Sequence, residues 1–223
     1  FAGNPALNPY QAVLLRETAL DRLVTQRAAF GEVSYDITDK LELTVGARAF
    51  EYDSRFWTRT FNTVTSPASS SDLDAEESDE TFKAGIEYKP SRDALVYATW
   101  SQGFRLGRPL AMDLIRNNCD RDLDGFLDGT DISSTLELIG SDRLESYELG
   151  AKWRSSGGRV MLAGAAYHND WQDIPISYIP PGCNTPTTIK GGSAQARGVE
   201  AEVTLQANEA LKFLLGLGYV KSE

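Results

Sequence analysis

From Ala28 onward the chain is punctuated by segments of about ten residues that alternate apolar with polar side chains, the period of a strand with two different faces. In the stretch from Leu41 to Tyr52, Leu41, Leu43, Val45, Ala47 and Ala49 share one face, while Glu42, Thr44, Gly46 and Arg48 share the other. Phe82, Ala84, Ile86 and Tyr88 oppose Lys83, Gly85 and Glu87. Tyr147, Leu149, Ala151 and Trp153 oppose Glu148, Gly150, Lys152 and Arg154. Val199, Ala201, Val203 and Leu205 oppose Gly198, Glu200, Glu202, Thr204 and Gln206, and Leu211, Phe213, Leu215, Leu217 and Tyr219 complete the set. With less cleanly divided segments near 28–35, 94–104 and 159–174, eight strands are expected.

The connections alternate as well. Short ones fall at Asp36–Lys40, Pro90–Ala94, Ser155–Gly158 and Ala207–Ala210, and long ones at roughly 55–80, 105–142 and 175–195. Tight turns at one end and long loops at the other are the plan of an antiparallel transmembrane β-barrel. A tilted strand crosses the hydrocarbon in about 9–11 residues, which matches the segment length. Aromatic residues fall near strand ends (Tyr35, Tyr52, Tyr88, Trp100, Phe104, Trp153, Trp171, Tyr219), where interfacial girdles belong. A soluble sandwich also alternates. The small, almost uncharged apolar faces favour lipid, and the Glu, Lys, Arg and Gln opposite them suit a water-filled lumen.

Composition alone points elsewhere. The 223 residues carry 22 Lys+Arg against 32 Asp+Glu, a formal charge of −10, and a mean hydropathy of −0.33. No apolar run approaches the roughly 18 residues of a membrane helix, and the first residues lack a basic-then-apolar leader. Outnumbered and scattered basic residues argue against nucleic acid. His168 is the single histidine, which excludes a multi-histidine metal or catalytic centre. Residues 8–26 change period: Asn8 can cap, Pro9 suits a first helical position, and Tyr10, Val13, Leu20 and Val24 recur at helical spacing. Residues 1–27 are therefore expected to be a helical loop segment ahead of a β-domain over 28–223. Thr63–Glu80, polar and acidic, reads as a loop.

Several words of the sequence then match a known family. FGEVSYDITDKLELTVGARAFEYD resembles the barrel of TonB-dependent outer-membrane receptors, with its strand, DLTDKL-type turn and strand ending in G-x-R. VYATWSQGFRLGRP, RLESYELGAKWR, GAAYHNDWQDIPIS and GGSAQARGVEAEV are similar to further segments of that barrel, in family order over about 28–221. Pro175 and Ile176 stand where the family commonly has Gln, and Gly191 where it has Asn. The resemblance implies active import of a scarce ligand across the bacterial outer membrane, by default a ferric siderophore or similar metal chelate, with cobalamin, heme or an oligosaccharide as the alternatives. It also implies a barrel of about 22 strands around a plug that contacts TonB. Neither plug nor TonB box is visible, and GLGYVKSE does not end on the usual terminal aromatic residue. The chain is expected to be an internal piece of about eight strands, with residues 28 and 221 at open sheet edges facing absent strands. Two other classes remain open: a closed stand-alone barrel serving as anchor or adhesin, and a soluble calcium-dependent β-sandwich that binds carbohydrate.

The sharpest local motif is Asp120-x-Asp122-x-Asp124-Gly125-Phe126-Leu127-Asp128, with Asp131 beyond. It has the spacing of an EF-hand-type calcium loop: carboxylates at positions 1, 3, 5, 9 and 12, Gly at 6 and the carbonyl of Phe126 at 7. Asp131 replaces the usual bidentate Glu, which implies modest affinity; the plain alternative is a solvated acidic loop. Cys119 abuts the motif and Cys183 lies in the next long loop on the same expected side, so a disulfide made in an oxidising periplasm would tie two loops together. Arg55, Arg59, Arg105 and Arg108, with Trp57 and Tyr178, are candidate contacts for an anionic ligand at the mouth, set against simple loop solvation or pairing with acidic neighbours. His168 and Asp170 share a strand face and suit a polar lumen or rim contact. No G-x-S-x-G, phosphate loop or zinc motif occurs, so no enzyme activity is expected.

Overall fold

A computed structural model describes residues 16–62, 66–110, 116, 119–133, 138–183 and 186–223. Its strands in chain order are β1 (Arg16–Thr38), β2 (Leu41–Asn62), β3 (Ser66–Ser91), β4 (Ala94–Arg105), β5 (Arg108–Pro109), β6 (Leu138–Ile139), β7 (Asp142–Arg154), β8 (Val160–Tyr178), β9 (Thr187–Asn208) and β10 (Leu211–Ser222). Eight of them form one antiparallel meander in the order β1-β2-β3-β4-β7-β8-β9-β10, and β5 pairs with β6 in a separate ribbon. All four expected short connections are present as turns. At the first, the Lys40 N–H donates to Thr38 Oγ1 at 3.2 Å, and the Lys40 carbonyl accepts from the Lys89 N–H at 2.7 Å.

Registry carries the alternation across the whole sheet. One cross-strand row runs Val33, Val45, Ala84, Trp100, Tyr147, His168, Arg197, Lys221. It starts close to the β1–β2 turn and ends at the far end of β10, the stagger that strands of a tilted barrel require. Neighbouring rows on this face hold Tyr35, Leu43 and Ile86, and then Leu149, Ala166, Val199 and Tyr219. These apolar side chains stand open to the surroundings, with Leu217 at 71% and Leu215 at 61% exposed. Among the described residues no second layer covers them, which is not the packing of a two-sheet sandwich. The opposite face carries Thr44, Gly85, Thr99, Glu148, Tyr167 and Gly198 in one row. Two glycines there have a steric reason. A Cβ on Gly150 would lie 2.4 Å from the Tyr97 ring, and one on Gly198 would lie 2.5 Å from Tyr167 Oη.

β1 pairs only with β2 and β10 only with β9 among the described residues, so the sheet is open and the strands at residues 28 and 221 are its edges. A closed eight-stranded barrel is thereby excluded for the described strands.

The helix expected over 8–26 is corrected where it can be seen. Residues 16–26 are strand, paired continuously from Arg16↔Asn62 to Gln26↔Tyr52, so the boundary expected after residue 27 falls inside β1. Leu20 and Val24 are four apart, a separation that suits a helical face and a strand face equally, and the full-length β2 edge decides the outcome. Residues 1–15 lie outside the described residues. The loop expected over 55–80 is also corrected: β2 runs on to Asn62 and β3 begins at Ser66. The face of β3 that turns inward there is made by Leu73, Ala75, Glu77 and Asp79, half of it acidic, so its strand character leaves no hydrophobic alternation to read. No helix among the described residues is long and apolar enough to cross a membrane, which says nothing of crossing by strands.

Candidate functional site

The functional candidates gather at the end of the sheet that carries the long connections. There the inner face changes character. On β2, Glu42, Thr44 and Arg48 give way to Phe50, Tyr52 and Ser54, all three buried, opposite Ala75 of β3. Phe50 stacks on Phe104 with ring centroids 4.0 Å apart.

Beside this patch Glu77 organises the entry to the 105–142 connection. Its carboxylate accepts the Ser141 N–H at 2.8 and 3.0 Å and the Ser141 hydroxyl at 3.0 Å, and it also accepts the Tyr52 hydroxyl. Tyr52 Oη in turn accepts the Gly107 N–H at 2.8 Å. Burial and the hydrogen bond to Glu77 push the Tyr52 phenol up to about 12, so it stays neutral and donating. Gly107 has no room for a side chain: a Cβ would lie 2.4 Å from the Ile139 carbonyl. Nearby, Arg143 donates to both oxygens of Asp79 at 2.8 Å. Partial burial pushes Asp79 up, but the Arg143 guanidinium outweighs it and holds the carboxyl below its ordinary range.

The arginines offered by the sequence as ligand contacts are mostly engaged within the protein. Arg105 donates from Nε to buried Asp142 at 2.9 Å and lies 4.9 Å over the Trp171 ring. Arg108 donates to Thr188 Oγ1 at 2.8 Å, and Arg55 to Asp74 at 2.9 Å. Arg59 is exposed; Trp57 and Tyr178 are half-buried. His168 falls on the outward face between Tyr147 and Arg197, and Asp170 accepts from Gln172 at 3.4 Å.

The acidic motif forms a compact loop. A helical hydrogen bond from Asp120 N–H to the Arg116 carbonyl (3.0 Å) leads into it. Asp124 N–H donates to Asp122 Oδ1 at 3.3 Å and Phe126 N–H to Asp124 Oδ1 at 2.8 Å, with Gly125 at φ 93° and Leu123 at φ 59°. These turns place ligand atoms of Asp120, Asp122 and Asp124 all within 4.8 Å of one another, Asp120 buried and the other two exposed. Of the other carboxylates offered by the sequence, Asp128 and Asp131 fall outside that group. Asp128 accepts the Arg121 N–H at 2.9 Å, Phe126 forms an isolated bridge with Ser133, and Asp131 is exposed outside the group.

Beneath the loop, Leu127, fully buried, joins Leu110, Cys119, Ile139 and Cys183 in a small core, with Ile132 against it. Cys119 and Cys183 are disulfide-bonded with Cα atoms 5.2 Å apart, which fastens the acidic loop to the β8–β9 connection. Arg121 also donates to the Gly182 carbonyl. The mouth is thus a set of loops fixed to one another and to the sheet, above an inner wall of polar side chains.

Chain comparisons place this architecture. The family description "TonB dependent receptor-like, beta-barrel" matches residues 2–223. The chain belongs to that family. TonB-dependent receptor barrels are outer-membrane proteins, and the family is one of transport receptors. The chain is 20% identical over 222 residues to the probable TonB-dependent siderophore receptor PiuA of Acinetobacter baumannii, covering 98% of this chain and 27% of that protein. Among solved structures, it is similar to the ferric yersiniabactin uptake receptor FyuA of Yersinia pestis, with a TM-score of 0.69 and 15% identity over 93% of this chain and 28% of the other. It is also similar to the alcaligin outer-membrane receptor FauA of Bordetella pertussis, with a TM-score of 0.64 and 16% identity over 92% and 31%. At those identities the structural likeness speaks for the fold, and the chain spans just over a quarter of the curated relative's length.

Sequence reasoning missed Tyr52, Glu77, Asp79, Ser141 and Arg143 as a group. A signal was present: the face of β2 that is polar at Glu42 and Thr44 becomes aromatic at Phe50 and Tyr52, which marks a place where something packs on the inner wall.

Proposed function

We propose that this chain is a sector of the wall of an outer-membrane receptor that imports a ferric siderophore. What carries the reading is membership of the TonB-dependent receptor family over residues 2–223, joined by relatives named for siderophore and ferric-chelate uptake. In this reading the apolar face meets lipid, and the polar face of Glu148, Lys152, Glu200 and Glu202 lines an aqueous lumen. The open edges of β1 and β10 pair with further strands of the larger barrel. The loops at the end holding Glu77 and the disulfide face outward and present the ligand to a plug, through which TonB supplies energy. Arg59, Trp57 and Tyr178 are the sequence candidates left available for ligand, since Arg55, Arg105 and Arg108 are committed to Asp74, Asp142 and Thr188.

Asp120, Asp122 and Asp124 are proposed to hold a calcium ion. Hard carboxylate oxygens suit calcium, and the loop already bends as such a site requires. With three carboxylates gathered rather than the full set, the affinity belongs to the weak, extracellular end of the range. Titration calorimetry should show saturable heat at millimolar calcium, lost in Asp122→Asn with Asp124→Asn; absence of heat in the parent protein would defeat the assignment.

The ligand reading is tested by tryptophan fluorescence of the purified protein against ferric and iron-free siderophores. Saturable quenching by at least one ferric chelate at micromolar concentration or below is expected. A flat response across catecholate, hydroxamate and mixed chelates would count against it.

A further inference from the structure

The far halves of β1, β2 and β3 form a three-stranded ribbon that continues past the rest of the sheet. β2 and β3 hold 22 and 26 residues, about twice the roughly 9–11 that a tilted strand needs to cross hydrocarbon. Pairing of β3 with β4 stops at Lys83↔Ser101, whereas pairing of β3 with β2 continues to Asn62↔Ser66. Beyond Lys83, β3 therefore has a strand neighbour on one side only, among the described residues. This edge lies inside the order of the sheet and owes nothing to what flanks β1 or β10.

The orientation of its peptide groups follows from Phe82, whose N–H points to the β4 side and donates to Gln102 Oε1 at 3.2 Å. Alternate residues of a strand turn their N–H and C=O to the same side. Asp72, Asp74 and Glu76 accordingly offer their backbone groups to the open edge, and their side chains are exposed. Glu76 sits directly opposite Asp53. Like charges so placed destabilise a sheet, and among the described residues Asp74 alone of the three has a cation beside it, Arg55. Asp53, Asp74 and Glu76 line a concavity of about 350 Å³ together with Leu23, Thr25 and Arg55.

We propose that this edge is a docking site for an extended, lysine- or arginine-rich segment of a partner protein. The segment adds to the ribbon as a fourth strand beside β3, through main-chain hydrogen bonds, and lays a basic side chain over Glu76 towards Asp53. Strand addition supplies affinity through the backbone and selectivity through alternate side chains; here the opposed carboxylates select for positive charge. The proposal does not rest on the siderophore reading, because the site lies on the exposed ribbon away from the inner wall.

The test uses a labelled twelve-residue peptide alternating Lys and Thr, titrated by fluorescence anisotropy against the full protein in detergent micelles. Saturable binding is expected, weakened about tenfold by Asp53→Asn with Glu76→Gln. It should be abolished by N-methylating alternate peptide bonds on the pairing side, and absent for the Glu-for-Lys peptide. A charge-matched control, Asp39→Asn with Glu209→Gln at the opposite end of the sheet, should leave affinity unchanged. Circular dichroism and heat-dependent gel mobility verify that each variant is folded. No binding, unaltered binding by the Asp53/Glu76 variant, equal loss in the control, or full binding of the N-methylated peptide would each overturn the proposal.

Discussion

At the scale of single residues, Glu77 and Tyr52 hold the 105–142 connection to the sheet, and the protonation of Tyr52 and of nearby Asp79 sets the pH range in which it stays held. Tyr52 is raised from 10.0 to about 12, so its contribution is complete below pH 10 and lost as pH rises through about 12. Asp79 is lowered below its ordinary 3.8, so its contribution is present above that value and lost as pH falls through the depressed one. Protease protection of the connection should therefore form a plateau that falls at both extremes. Tyr52→Phe should remove the Tyr52-linked part of the alkaline fall, and Arg143→Met should move the acidic fall upward. Tyr52→Phe also leaves the Gly107 N–H without its acceptor, at a cost of about 1–3 kcal/mol. The tight glycines act at the same scale. Gly198→Val would collide with Tyr167 and with the Tyr219 carbonyl, and overpacking of this kind costs on the order of 1–3 kcal/mol. A lower temperature for the heat-dependent gel shift is the expected outcome.

At the scale of elements, the disulfide is the main constraint on the acidic loop. The bond spans a sequence separation of 64, and the chain-entropy model gives about 4 kcal/mol for a loop of that order, an upper-end figure. Cys119→Ser with Cys183→Ser should expose residues 120–133 and the β8–β9 connection to protease while the strands stay protected. If calcium binds at Asp120, Asp122 and Asp124, the same variant should bind it more weakly, because the loop core of Cys119, Leu127 and Cys183 is what gathers the carboxylates. The strands were legible in the sequence because lipid on one side and water on the other force a period of two. Three features were not. β1 between residues 16 and 26 carries Leu20 and Val24 at a spacing common to helix and strand. The β2–β3 ribbon turns Glu77 and Asp79 inward on the same face as Leu73 and Ala75, so burial alternates there while hydrophobicity does not. The Glu77 cluster depends on residues brought together over the 64 positions separating Glu77 from Ser141, which no local pattern can report.

At the scale of the whole molecule, an acidic chain of low mean hydropathy makes a membrane-type sheet because its charge is sorted by face and by end. The apolar row positions, Val33 through Tyr147, form one continuous surface, while Glu148, Glu200 and Glu202 lie on the opposite face and Asp53, Asp74 and Glu76 on the far part of the β2–β3 ribbon. A sheet open at β1 and β10 cannot stand in hydrocarbon with its edges unpaired, since each bare peptide group costs several kcal/mol there. The membrane reading therefore requires neighbours for both strands, as the larger barrel provides. The most direct test of the central claim is iron-55 accumulation from ferric siderophores by iron-starved cells with and without the receptor that contains this chain. Uptake of at least one ferric chelate that needs both the receptor and an energised inner membrane is expected. Unchanged accumulation of every chelate when the receptor is removed would contradict it.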